Sequence, residues 1–450
     1  MVSIICIRNF LSNVSVDLCA GACVRQFAIM MSKAVRGFAT SCLLLVACVY
    51  AQPSGEDPQL LLSGRFGGDV DEGTGLGSLP LVFSWPASSV RVTFEGSSIN
   101  ATLSALPPLN TTYGRFAFYL DNTTTVETIT PNDTTISWGR SGLSPGPHNL
   151  TIQMLSEARY GEASLDTLTV GSDGRFLMPA LPASFLSGRR IMFLGDSYTV
   201  GWGNVGGNTT CKTAPVCATA RCPPQVESEN SAISWGPIVA ANLQADYQVL
   251  AWSGAGLDTY AVLQPDGINR TYITGVPDEL PENILPAVPI LFRRQVAGDN
   301  TSMAGNSSFV PQIVVMAGGT NDFHGDLPPL EQWVSDNLNF MSEITDEYGE
   351  NMQIVVQVFP LEVQVQGVLT VNQTTQYLQY MSSLYTAAEQ EGQSNVHFLQ
   401  LNGVDMPLDN WCVAHPSSAA DRNIAHQLLT YINRLLPNYA TSTFPRAVRV

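Results

Sequence analysis

A chain of 450 residues, 45% hydrophobic and 13% charged, has the composition of an ordinary globular protein and exceeds what one hydrophobic core supports, so two domains behind a leader are expected. Its formal net charge of −17 argues against a phosphate-tracking surface and hence against nucleic acid as a partner. Neutral glycans suit such a surface better.

Taken from the start, residues 31–51 read MSKAVRGFATSCLLLVACVYA. Lys33 and Arg36 form a basic region, residues 42–49 an apolar one, and Val49-Tyr50-Ala51 a small-residue cleavage site, the pattern of a signal peptide. Met31 is the expected true start, and residues 1–51 are set apart from the fold as a leader. Its removal, with Arg8, Arg25, Lys33 and Arg36 leaving against Asp17, takes the net charge from −17 to −20. No later stretch reaches the roughly 18 to 20 apolar residues a bilayer demands, so a secreted, extracellular chain without a membrane span is expected. Of nine cysteines, Cys211, Cys217, Cys222 and Cys412 follow the leader, and in an oxidising compartment they are expected to form two disulfides, with all three pairings open. Their spacing lacks paired C-x-x-C units, so no metal is expected. N-x-S/T sequons at Asn100, Asn110, Asn122, Asn132, Asn149, Asn208, Asn269, Asn300, Asn306 and Asn372 favour a glycosylated protein.

Residues 58–176 show the period of two of half-buried strands. Val90, Val92 and Phe94, then Ile99, Ala101 and Leu103, then Phe116, Phe118 and Leu120, then Ile152 and Met154 alternate with polar residues. Gly, Pro, Asn and Ser supply the reversals between them. An antiparallel β-sandwich is the expected first domain. After a Pro/Ser/Gly linker at 179–188, residues 186–440 alternate short apolar strands with longer helical runs, the mark of a parallel sheet covered on both faces. The spacing predicts strands at 190–194, 247–251, 313–316, 353–358 and 396–399, and helices at 233–243, 330–347, 374–391 and 419–436.

The first of these strands runs straight into Gly195-Asp196-Ser197. Reactive groups of open α/β sheets collect beyond the carboxyl ends of strands, so Ser197 is a candidate nucleophile, although the same tripeptide also suits a plain turn. A serine hydroxyl needs a base to take its proton. Among five histidines, His148 lies in the β-rich region, His397 begins a strand, His426 falls inside the last helix and His324 follows an Asn-Asp pair. His415 alone occupies a loop between the last strand and the last helix, at the same sheet edge as Ser197, and is the expected base. Ser253-Gly254-Ala255-Gly256 and Gly318-Gly319-Thr320-Asn321-Asp322 close two further strands. A backbone N–H at Gly254 and the Asn321 amide are the donors an oxyanion would need. Asp196 is expected to cap the turn rather than to take part in chemistry. Trp202, Trp252 and above all Trp411 are placed to stack on a sugar ring, core packing being the alternative.

Gly195-Asp196-Ser197, Gly254, Gly319-Thr320-Asn321-Asp322 and His415-Pro416 resemble, in order, the four blocks of the SGNH (GDSL-type) hydrolase superfamily. Gly64-Arg65-Phe66, residues 94–99 and 157–170, residues 195–204, Glu229-Asn230-Ser231, Ser234-Trp235-Gly236 and Ser253-Gly254-Ala255-Gly256 are similar to the second carbohydrate esterase family. That resemblance implies a jelly-roll sandwich followed by a flavodoxin-like, three-layer α/β hydrolase domain. It implies removal of O-acetyl groups from carbohydrate of the xylan or glucomannan type through an acetyl-serine intermediate. Ser197 would be nucleophile, His415 base and then acid, and Ser197 N–H, Gly254 N–H and Asn321 the oxyanion hole. No cofactor or metal is implied, the partner is an acetylated polysaccharide or oligosaccharide, and a monomer is expected.

One departure concerns the group that orients His415. Many members carry Asp three residues before the His, where this chain has Cys412, and Trp411 and Val413 also depart from the family's local pattern. A Ser-His dyad with a main-chain carbonyl as orienter is expected, with Asp409 or Asp405 as alternatives. A general carboxylesterase or lipase, and a glycan-binding protein with little turnover, are the competing readings.

Overall fold

The computed structural model describes residues 58–442 except 68–69, 72–75, 108–113, 158–159, 206–222, 259, 265–266, 272–283, 286–287, 290, 293–308, 324–326, 360–370 and 404–414. The leader, the cysteines Cys211, Cys217, Cys222 and Cys412, and the residues Asp405, Asp409 and Trp411 lie outside the described residues, as do His324 and the sequons at Asn110, Asn208, Asn300 and Asn306.

Alternating apolar residues build the N-terminal region as two antiparallel sheets. One runs β3 (Val70–Asp71), β4 (Leu76–Gly77), β1 (Leu60–Ser63), β6 (Ser89–Glu95), β11 (Pro147–Met154), β8 (Gly114–Leu120), β9 (Thr123–Ile129), and β13 (Arg175–Leu177) also pairs with β6. The other runs β10 (Thr135–Ser141), β7 (Ser98–Ala105), β12 (Ala163–Val170), β5 (Leu81–Phe83), β2 (Phe66–Gly67). Every residue singled out for its period of two is buried, and Val92, Phe94, Phe118 and Ile152 from the first sheet share one core with Phe83, Ile99 and Leu103 from the second. At about 1.5–3 kcal/mol for each large apolar side chain buried, this contact is what makes the alternation specify a sandwich. Phe83 joins the layers edge-on, its ring 5.0 Å from Phe66 and 5.4 Å from Phe116.

Beyond it, the apolar runs form a parallel sheet ordered β15 (Asp246–Ala251), β14 (Arg190–Gly195), β19 (Ile313–Ala317), β20 (Gln353–Val358), β21 (Val396–Gln400). That order, with the first strand inside the second, is the flavodoxin-like one. Successive side chains point to opposite faces, so each strand feeds two cores: Met192, Leu194, Val314 and Met316 in one, Ile191, Phe193, Val315 and Ala317 in the other. Helices α4 (Trp235–Asn242) and α7 (Ser418–Leu435) cover the second core, and α5 (Leu330–Tyr348) and α6 (Val371–Gln390) the first. The expected elements appear with ends moved by a few residues, as helix ends fray.

Two features were not anticipated. A small antiparallel sheet of β17 (Gly267–Thr271), β16 (Tyr260–Gln264) and β18 (Ile284–Leu285) lies between β15 and β19. The expected linker contains helix α1 (Ala183–Ser187), ended by Gly188 in the left-handed region, and Ser187 Oγ donates to the Gln244 carbonyl at 2.8 Å. The sandwich is bonded directly to the hydrolase region. Ser231 Oγ accepts from Ala87 N–H at 2.8 Å and donates to the Met154 carbonyl at 3.1 Å, and Ser63 Oγ donates to Asp246 at 2.7 Å.

His148, buried in β11, lies with Nδ1 2.7 Å from Asp121 Oδ2 and Nε2 2.8 Å from the Ser144 carbonyl. Both partners are acceptors, so only the imidazolium can donate to each, and the hydrogen bond to Asp121 raises its pKa, against the effect of desolvation. Its stabilising contribution is complete below the unfolded value of about 6.5 and is lost as pH rises through the higher folded value. Melting temperatures of the wild type should therefore fall across that window, and His148→Gln should flatten the fall.

Candidate active site

The parallel register sets Gly195 beside Ala251 of β15 and Ala317 of β19. The three loops that follow therefore leave the sheet side by side, at the carboxyl edge where such sheets hold their reactive groups. At Gly195 a side chain would force its neighbours to shift, since a Cβ would come within 2.1 Å of Thr199 Oγ1 and 2.4 Å of the Ala317 carbonyl oxygen. Ser197 then opens helix α2 (Ser197–Val200), with Asp196 as its cap accepting from Tyr198 N–H at 3.0 Å.

His415 follows β21 and immediately precedes α7, as the sequence led one to expect. Its Nε2 lies 2.7 Å from Ser197 Oγ, across a separation of 218 residues. Two aromatic rings hold the imidazole. Trp202 packs with its ring centroid 4.4 Å away and Tyr198 stands edge-on at 5.1 Å. The start of α7 is fixed by Ser417, whose hydroxyl accepts from Ala420 N–H, and by Ser418 N–H donating to the Asn204 carbonyl at 2.9 Å. His426, on the exposed face of α7, is apart from this arrangement.

After β15, Ala255 N–H donates to the Trp252 carbonyl at 3.0 Å and Gly254 has φ +89°, while Ser253 has negative φ. This is a type II turn, which requires a residue free to take positive φ at its third position. Its central peptide carries the Gly254 N–H, the expected oxyanion donor.

After β19, the Asn321 amide donates to Asp196 Oδ2 at 3.1 Å and to the Ala255 carbonyl at 2.9 Å. Thr320 Oγ1 donates to the same Asp196 oxygen at 3.3 Å. Asp322 is buried and accepts from Leu257 N–H at 2.9 Å, Asp258 N–H at 3.2 Å and Trp333 Nε1 at 3.1 Å.

The structure thus brings Ser197 and His415 together and joins Asn321 to the nucleophile turn through Asp196. The proposed His orienters Asp405 and Asp409 and the stacking candidate Trp411 are outside the described residues. Among the described residues no group of three His, Cys, Asp or Glu is arranged to hold a metal ion. Asp196 does cap the turn, and its second task, holding Asn321, was not foreseen. Trp202 turns out to pack on the imidazole. Asn204 was not singled out at all, yet its Nδ2 bonds the Asn230 carbonyl at 2.9 Å and Asp421 at 3.0 Å. Burial lifts the Asp421 carboxyl well above the ordinary carboxylate range, against the pull of the Asn204 amide and the Trp235 N–H.

Comparison with known proteins gives a consistent picture. Residues 78–180 match the family model described as Carbohydrate esterase 2 N-terminal, and residues 191–428 match GDSL-like Lipase/Acylhydrolase. The chain is 25% identical over 401 residues to an acetylxylan esterase/glucomannan deacetylase of Cellvibrio japonicus, covering 87% of this chain and 95% of that protein. It is 27% identical over 312 residues to the cellulase/esterase CelE of Acetivibrio thermocellus, covering 66% of this chain and 31% of that one. Among solved structures, a family two carbohydrate esterase from Clostridium thermocellum in complex with cellohexaose superposes with a TM-score of 0.61 at 24% identity, covering 84% of this chain and 99% of that one. One from Cellvibrio japonicus gives 0.61 at 21% identity over 85% and 96%. The two-part fold, a jelly-roll-like β region followed by a parallel α/β sheet, is shared with both.

Because both near atoms at Gly195 belong to packed structure, Gly195→Ala should cost on the order of 1–3 kcal/mol, the usual penalty of overpacking. Urea unfolding of the two proteins measures it; an unchanged midpoint would show that the turn can yield.

Proposed function

We propose that this chain, which belongs to the GDSL-like lipase/acylhydrolase family, is a serine esterase that removes O-acetyl groups from carbohydrate. The observation that carries the reading is the 2.7 Å contact of His415 Nε2 with Ser197 Oγ at the carboxyl edge of the sheet. It supports reading Ser197 as nucleophile and His415 as base, since the two atoms lie within proton-transfer reach.

In this reading, neutral His415 takes the proton from Ser197 as Oγ attacks the acetyl carbonyl. The tetrahedral oxyanion is met by the N–H groups of Ser197 and Gly254 and by the Asn321 amide, a planar group that must turn as a whole away from the Ala255 carbonyl it holds here to reach the oxyanion. Collapse expels the sugar hydroxyl, which receives its proton from His415. Water, activated by the same imidazole, then releases acetate from acetyl-Ser197. None of these steps calls for a cofactor or a metal.

Carbohydrate rather than lipid is favoured by the N-terminal sandwich, whose match is to a carbohydrate esterase domain, and by relatives named for acetylated xylan and glucomannan. An acetylated polysaccharide or oligosaccharide of that type is the proposed substrate. Secretion is favoured by the leader pattern, and the sequon asparagines Asn100, Asn122, Asn132, Asn149 and Asn372 are exposed, as glycosylation requires. Among the described residues, no helix is long and apolar enough to cross a membrane. A monomer is the proposed form.

Acetate release from acetylated xylan and glucomannan, set against hydrolysis of long-chain p-nitrophenyl esters, separates this reading from a general lipase. Ser197→Ala and His415→Ala should each abolish release, and Asn321→Ala should slow turnover by about a hundredfold to a thousandfold. Undiminished release by Ser197→Ala would refute the assignment. Wild-type binding of glycan without any hydrolysis would favour a binding protein instead.

A further inference from the structure

We infer that one corner of the sandwich, formed by Glu157 and Tyr160, is a positioning element of the active site, reaching the oxyanion turn with one side chain and, through Trp202, the histidine with the other. The inference rests on the esterase reading above.

Glu157 follows β11 and is fully buried. Its Oε2 accepts from Ser253 N–H at 2.5 Å, a bond between the sandwich and the loop after β15. Ser253 is the second residue of the type II turn whose central peptide presents the Gly254 N–H. Type I and type II turns differ chiefly by a flip of that peptide, which would point a carbonyl where the donor should be. A charge-assisted bond to the residue just before the peptide fixes one end of it, and the bond from Ala255 N–H to the Trp252 carbonyl fixes the other. Burying a carboxylate costs several kcal/mol unless it is well bonded, so its placement behind this turn demands a strong donor, and Ser253 N–H supplies one.

Tyr160 N–H donates to the Glu157 carbonyl at 3.2 Å, so the two residues are tied to each other. The Tyr160 hydroxyl, also fully buried, accepts from Trp202 Nε1 at 3.0 Å. Trp202 is the residue whose ring packs 4.4 Å from that of His415. Its main-chain N–H donates to the Ser197 carbonyl at 3.1 Å, which leaves the side chain as the part that Tyr160 must hold. A fixed indole face limits rotation of the imidazole and favours its cationic form. Glu157 and Tyr160 act through Gly254 and Trp202.

The test uses the full-length protein, p-nitrophenyl acetate as substrate, and kcat expressed per site titrated by diethyl p-nitrophenyl phosphate, so that unfolded molecules are not counted. Glu157→Ala should lower kcat by about tenfold to a hundredfold with KM little changed, the scale of a small misplacement of a catalytic group. Glu157→Gln, which keeps an oxygen for Ser253 N–H, should recover most of that loss. Tyr160→Phe removes a single oxygen atom, and should move the acidic limb of kcat/KM to lower pH as the imidazolium loses its fixed aromatic face. If Glu157→Ala yields no titratable sites, the pH profile of Tyr160→Phe still decides. Wild-type kcat in Glu157→Ala, or a wild-type pH profile in Tyr160→Phe, with Ser197→Ala inactive, would overturn this inference and leave the esterase reading intact. Activity in Ser197→Ala would overturn that reading first.

Discussion

The site depends on one buried carboxylate. Asp196 is wholly inaccessible, and it accepts from Tyr198 N–H on its own turn and from Thr320 Oγ1 and the Asn321 amide on the loop of the neighbouring strand. A charge so placed must be matched by donors or it costs several kcal/mol. The sheet register already sets Gly195 beside Ala317, so the two loops start adjacent. Asp196 converts that adjacency into a fixed relation between the proposed nucleophile and the proposed oxyanion amide. It does this without occupying the position where a substrate would sit.

The same device recurs around the site. Asp322 gathers two N–H groups of the loop after the oxyanion turn and the indole of Trp333 on α5. Asp421 on α7 receives the Asn204 amide, and Asn204 in turn binds both polar groups of Asn230. Each acidic group is buried and each takes donors from segments far apart in sequence. Apolar packing holds the sheet and helices together but is non-directional. Loops at a sheet edge have little of it to use, so their geometry comes from directional bonds at buried carboxyl groups.

Much of this was legible in the chain, and the division has a physical cause. The period of two from Val90 to Met154 and the apolar strands from Ile191 onward express burial, which composition and spacing record directly. Ser197 and His415 were readable because a strand end and a pre-helix loop place them at one edge by topology alone. The partners that orient them were not. Asp196 was read as a cap from its local pattern, correctly, but its bond to Asn321 spans 125 residues. Glu157 binds Ser253 across 96 residues and Trp202 meets Tyr160 across 42. No periodicity marks such pairs, since each is a single polar residue whose value depends on where two loops finish. The small sheet of β16, β17 and β18 was missed for a related reason: short strands bounded by Pro and Gly carry little pattern.

Packing contributes to the placement of the imidazole. An orienting carboxylate acts partly by charge and partly by holding the ring in one rotamer. Two aromatic rings bear on the second of these tasks here. Trp202 lies tilted by 59° against the ring of His415 and Tyr198 stands nearly perpendicular to it at 86°. A rotation of the imidazole would therefore meet two rings, one of them buried beside the nucleophile itself. The backbone that carries the ring is set by Pro416, which restricts the residue before it to extended conformations, and by the capped start of α7. Tyr198 belongs to the helix that Ser197 opens, so any shift of the nucleophile carries one wall of the histidine site with it. The part of the task that packing cannot perform is electrostatic, and there the indole face, with its negative quadrupole toward a ring that becomes cationic during turnover, acts in the same sense as a carboxylate, at a fraction of its strength.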